Sequence, residues 1–153
     1  MLEQYGRRST LRFHGVPFQD KDKGNTDQVV VDLVNSKLTT DTPISADDIE
    51  RSHLVGAPQD GKAQIICKFK AWKTKHMVFK AKRGLKKHKS RSFNVFISED
   101  LTKKRQAIVK SLAEARKKDL IISYWTSDGR ICYKQTEDSD TVLVPSIFTP
   151  LDI

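Results

Sequence analysis

The residues best equipped to do chemistry in this chain are cations. From Gly61 to Ser98 there are twelve Lys and Arg and not one Asp or Glu, a local charge of +12. Residues 1–60 sum to −3 and residues 99–153 to 0, which recovers the net +9 of the chain. A stretch with no carboxylate cannot neutralise itself, so it projects a positive field and attracts a polyanion. Each phosphate it neutralises would release counterions, giving salt-dependent affinity without sequence preference. The competing reading is a solvated face, but such faces normally mix both signs.

Residue sets that could support catalysis are weaker. Ser52 and His53 are neighbours, and neighbours on a strand point to opposite faces. There is no Gly-X-Ser-X-Gly elbow, Walker loop or dinucleotide glycine fingerprint. His14, His53, His76 and His88, with Cys67 and Cys132, lack zinc spacing. His76 has Trp72 and Lys80, not ligands, four residues to either side. Asp47, Asp48 and Glu50 cluster as Mg²⁺ ligands would, yet a helix cap or solvated turn explains them more simply. The chain reads as a binding module, not an enzyme, with no cofactor and no metal.

The totals set bounds. A length of 153 residues, 37% of them hydrophobic, suits one domain or one small domain plus an appendage. No apolar run approaches the eighteen or so residues of a membrane helix. MLEQYGRRS at the start has no apolar stretch of a secretory leader. Two cysteines make no disulfide framework, so a reducing, intracellular compartment is expected.

These cations need elements to hold them. TLRFHGV at 10–16 alternates Leu11 and Phe13 with Arg12 and His14, the period of a half-buried strand, and Pro17 ends it. Asn25 or Thr26 caps a helix whose apolar face is Val29, Val30, Leu33, Val34 and Leu38. IERSHL at 49–54 is a short strand, and Gly56, Pro58 and Gly61 mark a turn. AQIICKFK at 63–70 puts Ala63, Ile65, Cys67 and Phe69 on one face and Gln64, Ile66, Lys68 and Lys70 on the other. A second helix is predicted over Trp72–Leu85, with Gly84 near its end. A strand is predicted over Phe93–Ile97 with Phe93, Val95 and Ile97 inward. The expected class is α+β, a ferredoxin-like βαββαβ unit over 10–98. Over 99–153 a helix at Thr102–Lys118 precedes 121–125 and 130–134, which flank Thr126-Ser127-Asp128-Gly129, and Asp-Gly between two apolar, aromatic runs is a strong hairpin signal. Residues 136–153 indicate no clear element.

In an RNA recognition motif, RNA lies on the open face of the first and third strands. The third-strand consensus runs Lys/Arg-Gly-aromatic-small-aromatic-Val-X-aromatic. Laid on Lys62–Phe69, it matches the leading cation Lys62 and the inward Ile65, Cys67 and Phe69, but Gln64 and Ile66 replace both stacking aromatics. On the first strand the stacking position is Arg12. Backbone capture by Arg and Lys, with Arg planes or His14 stacking on bases, fits better. Nearly the whole chain resembles the C-terminal part of the first-open-reading-frame protein of LINE-type non-LTR retrotransposons. The carrying segments are RRSTLRFHGVP at 7–17, DIERSHLVG at 48–56, AQIICKFKAWKTKHMVFKAKRGL at 63–85 and ISEDLTKKRQAIVKSL at 97–112. The resemblance implies an RNA recognition motif followed by a small C-terminal domain, with RNA held between and across them. It implies coating of element RNA in a cytoplasmic or nuclear ribonucleoprotein, and nucleic-acid chaperone activity. It also implies a homotrimer through an upstream coiled coil, of which residues 1–9 would be the end. The usual closing helix is not recognisable in Asp138–Ile153, so the second domain reads as truncated, and the chain as a fragment or a decayed copy. Carried over by this resemblance, Arg51 matches an RNA-binding cation of the second strand, and Lys104 and Arg105 a basic pair opening the C-terminal helix.

The expected ligand is single-stranded RNA, with single-stranded DNA as a second substrate. The expected contacts are Arg12, His14, Arg51, Lys62, Gln64, Lys68, Lys86, Lys87, Lys89, Phe96, Lys104 and Arg105. Against Arg51 stands a salt bridge to Glu50 or Asp48. Lys73, Lys75, Lys80 and Lys82 sit on a helix expected behind the sheet and would mainly extend the field; Trp72 and Phe79 read as core. The alternative is a protein-interaction module built on the same fold. A double-stranded DNA binder ranks lower, since no helix-turn-helix or zinc module is visible.

Overall fold

The computed structural model describes residues 2–144 and shows an α+β chain with two antiparallel sheets. It divides into two compact units, one from Ser9 to Asp100 and one joining the residues up to Arg8 with those from Leu101 on.

In the first unit, strand β1 (Thr10–Pro17) is followed by helix α1 (Thr26–Lys37), strands β2 (Ile49–Leu54) and β3 (Lys62–Phe69), helix α2 (Trp72–Lys80) and strand β4 (Phe96–Glu99). The sheet order is β2-β3-β1-β4, so β1 and β3 are central and β2 and β4 are edges. Alternation decides the faces. Leu11, Phe13, Ile65, Cys67 and Phe69 are buried against Val30, Val34, Val78 and Phe79 of the helices. Val31, outside the apolar face read from the sequence, is buried as well. The other face holds Arg12, His14, Gln64, Ile66 and Lys68, all half-buried. Register on β1 shifts between Phe13 and Val16, where Gly15 adopts φ 70°. A Cβ there would come within 2.6 Å of the Asn94 carbonyl oxygen, so the bulge requires glycine on two counts.

Two predicted elements are corrected. The α-helix expected to reach Leu85 ends at Lys80, and residues Ala81–His88 tighten into a 3-10 helix. Gly84 and the like-charge pairs Lys82/Lys86 and Arg83/Lys87, four residues apart, disfavour further α-helix. The strand expected from Phe93 starts three residues later, because Ser90 and Phe93 close a turn through mutual backbone hydrogen bonds of 2.8 and 3.3 Å. Val95 and Ile97 are nevertheless buried.

In the second unit, helix α3 (Lys103–Lys117) is capped by Thr102, whose hydroxyl accepts from the Arg105 amide. Its Ile108, Leu112 and Ala115 pack with Ile121, Ile131 and Val144. Strands β5 (Ser123–Ser127) and β6 (Arg130–Lys134) pair antiparallel and join through Asp128 and Gly129. Asp128 adopts φ 53° and Gly129 φ 78°. A two-residue hairpin turn needs this pair of positive angles. A two-residue strand, β7 (Val142–Leu143), pairs with β6 where no element was expected. Residues 2–8, read from the sequence as the end of a linker or coil, belong with this unit. Residues Leu2–Tyr5 form a helical turn; Gln4 is buried and accepts from the Thr102 amide, and Arg8 pairs with Asp128 at 3.2 Å. The C-terminal part of the expected truncation, 145–153, lies outside the described residues.

Candidate nucleic-acid interface

The open face of the first unit's sheet gathers side chains from all four strands. On β1, Arg12 donates from Nε to Asp100 Oδ1 at 2.9 Å, with the Asp100 side chain 5% exposed. His14 lies parallel to Phe96 of β4 at 4.2 Å between centroids, 5° off coplanar. Its Nε2 is 2.8 Å from Ser98 Oγ. Burial first, then Arg12, holds the His14 pKa below the ordinary histidine value. The imidazole is therefore neutral at pH 7 and stacks as an uncharged ring. Phe96 is 56% exposed. Its other ring face is therefore open to a base.

Arg51 is exposed opposite Lys68, on the same face. Glu50, the partner that could have claimed it, lies 3.3 Å from Lys68 Nζ, and Asp48 caps its own turn through the Ser45 amide. Among the described residues no carboxylate pairs with Arg51. A register shift between Ile49 and Arg51 turns Glu50 out of step and seats Arg51 over the sheet. His53 is exposed opposite Ile66, next in the same alternation. It was missed as a contact, although the alternation that puts Arg51 on this face carries His53 with it. Ser52 points the other way, to α1, where its hydroxyl bonds Thr26 and Asp27. Ser52 and His53 therefore do not converge. Lys62 and Gln64 line a notch of about 420 Å³ with Gly15, Val55, Gly56, Ala57 and Gln59.

The remaining expected contacts lie elsewhere. Lys86 and Lys89 are exposed and line a groove of about 460 Å³ outside β4, whereas Lys87 is exposed outside it. Sequence reasoning missed Lys82 and Arg83 as lining residues, because the helix was expected to continue through them. Lys75, weighed as a source of field, is 2% exposed and pairs with Glu99 at 2.7 Å beneath the sheet, so a ligand cannot reach it. Lys104, exposed, and Arg105, half-buried, open α3 in the second unit. The Arg105 guanidinium donates to the Gly129 carbonyl, bracing the hairpin turn. Trp72 is half-buried and stacks on His76 at 4.7 Å; Phe79 is core.

Among the described residues no group of three or more His, Cys, Asp or Glu is placed to hold a metal ion. No helix there is long and apolar enough to cross a membrane. No family model and no curated protein matches this chain.

Proposed function

We propose that the chain binds single-stranded RNA on the open face of the Ser9–Asp100 unit, without catalysing a reaction. The observation that carries this reading is one sheet face holding Arg12, Arg51, Lys68, two histidines and an exposed Phe96, with Glu50 as the exposed carboxylate on β2. Guanidinium forks bind phosphates bidentately and stack on bases, and a ring with one free face stacks on any base. The strand order β2-β3-β1-β4, with α1 and α2 in the crossovers, supports a ferredoxin-like domain of the RNA-recognition type. Together with the resemblance of the segments named above, it supports an RNA-coating protein of a LINE-type element.

The second reading, a protein-interaction module, rests on Gln64 and Ile66 standing where stacking aromatics would be. Filter binding of labelled RNA at two salt concentrations separates the two. RNA binding predicts log affinity falling with log salt by about 0.7 per phosphate contact, and single strands preferred over duplex. It also predicts that Phe96→Ala weakens binding by about 1–3 kcal/mol with little change in melting temperature. Affinity of about micromolar or weaker at low salt, with no salt slope, would favour the protein-interaction module.

A further inference from the structure

We infer that the groove outside β4 takes the ribose–phosphate backbone of a single strand whose base stacks on Phe96, so that the strand leaves the sheet face across this edge. The inference rests on the RNA-binding reading above and adds a direction and a second site to it. Lys82, Arg83, Lys86 and Lys89 line the groove, together with Leu85 and the chain Asn94–Ile97. Among the described residues no carboxylate pairs with Arg83, Lys86 or Lys89, and the sequence from Gly61 to Ser98 contains none. Its volume of about 460 Å³ exceeds what a lone phosphate needs, and its apolar wall of Leu85 and Val95 suits a ribose. Phe96 is the joint. It lines the groove and also stacks on His14 on the open face, so one nucleotide can use both. Among the described residues no strand lies on the outer side of β4, a sheet edge, to block the passage. Lys82 strengthens the case. Its Nζ sits 4.0 Å over the Phe79 ring, and burial lowers its pKa. Glu99 opposes that shift and Arg83 adds to it, so an incoming phosphate would add a second negative charge beside a cation that burial has partly desolvated. An acidic peptide would meet the same cations but would have no use for a stacking ring continuous with the sheet.

The test uses the full chain and fluorescein-labelled rU12, titrated at several salt concentrations. Arg83→Glu with Lys86→Glu is compared with Lys21→Glu with Lys73→Glu, an equal charge change at exposed positions outside the groove and sheet face. Melting curves confirm that each variant folds. The groove pair should lose about tenfold more affinity than the control pair, and its salt slope should fall by about 1.4, two contacts at ~0.7 each. Equal losses in both pairs would mean that only the general field acts, and the groove assignment falls. Arg51→Ala keeps the two readings apart. If it weakens binding while the groove pair binds like the control pair, the sheet reading stands and the groove does not. If the parent chain shows no salt-dependent binding of rU12, the RNA reading itself fails. Poly-glutamate displacing a labelled acidic peptide from the groove, with rU12 unable to, would overturn the inference in favour of a protein partner.

Discussion

Arg12 and Arg51 occupy the same sheet face, and their neighbours give them different work. Arg12 neutralises Asp100, a carboxylate with little access to water, so it is part of the fold as well as of the face. Arg51 has no such duty. Arg51→Ala should therefore lower RNA affinity and leave the melting temperature nearly unchanged, whereas Arg12→Ala should lower both, with a stability loss of about 1–3 kcal/mol. Arg51→Lys should rescue only part of the affinity, because an ammonium lacks the planar fork. Binding isotherms and melting curves for the three variants decide this. His14 adds a pH dependence of defined sign. Its folded pKa lies below its unfolded one, so protonation favours the unfolded chain. Its contribution is intact above the ordinary histidine value near 6.5 and is lost as pH falls from there through the lowered folded value. Urea denaturation at pH 7.5 and pH 5 should show the parent losing more stability than His14→Asn. A larger acid loss in the variant would contradict the burial argument.

At the scale of elements, two contacts hold the platforms in place. Lys75 of α2 and Glu99 of β4 form an ion pair in the first unit's interior, joining the helix to the edge strand. Removing one partner of such a pair leaves a buried charge, so Lys75→Met should cost about 3–5 kcal/mol. The double change Lys75→Met with Glu99→Leu should recover most of it, because an apolar pair needs no desolvation. Denaturant midpoints of the two variants test this. Arg105 is the counterpart in the second unit. Since its guanidinium holds the Gly129 carbonyl at the hairpin turn, Arg105→Ala should lower the melting temperature as well as any RNA affinity. Its neighbour Lys104 is exposed. Lys104→Ala should therefore change stability by no more than about 0.5 kcal/mol. Equal melting temperatures for the two would mean the brace carries no energy.

For the whole molecule, the net charge of +9 and its concentration in residues 61–98 set long-range attraction, whatever the local contacts. Reversing Lys86, Lys87 and Lys89 to Glu takes the net charge to +3. Affinity for rU12 and rA12 should fall by similar factors, and the salt slope should flatten with each lost phosphate contact. Loss confined to one of the two sequences would show that these lysines read bases instead of backbone.

Much of this was legible in the chain itself, and the limit has a physical origin. Strand alternation is local, so the sequence alone determined that Leu11 and Phe13 face inward while Arg12 and His14 face outward, and likewise for β3. Charge segregation is a matter of counting, and the Asp128-Gly129 turn follows from the positive φ angles its geometry demands. The helices at Thr26–Lys37 and Lys103–Lys117 followed from apolar spacing of about 3.6 residues. What only the tertiary structure decided depends on partners distant in sequence. Asp100 reaches Arg12 across 88 residues, and Glu99 turns Lys75 from a surface cation into a buried one. The two-residue β7 has too little pattern of its own and exists because β6 offers an edge. The early end of α2 and the late start of β4 together open the groove. Neither boundary is encoded by periodicity, which says where apolar faces lie but not where backbone hydrogen bonding changes hands.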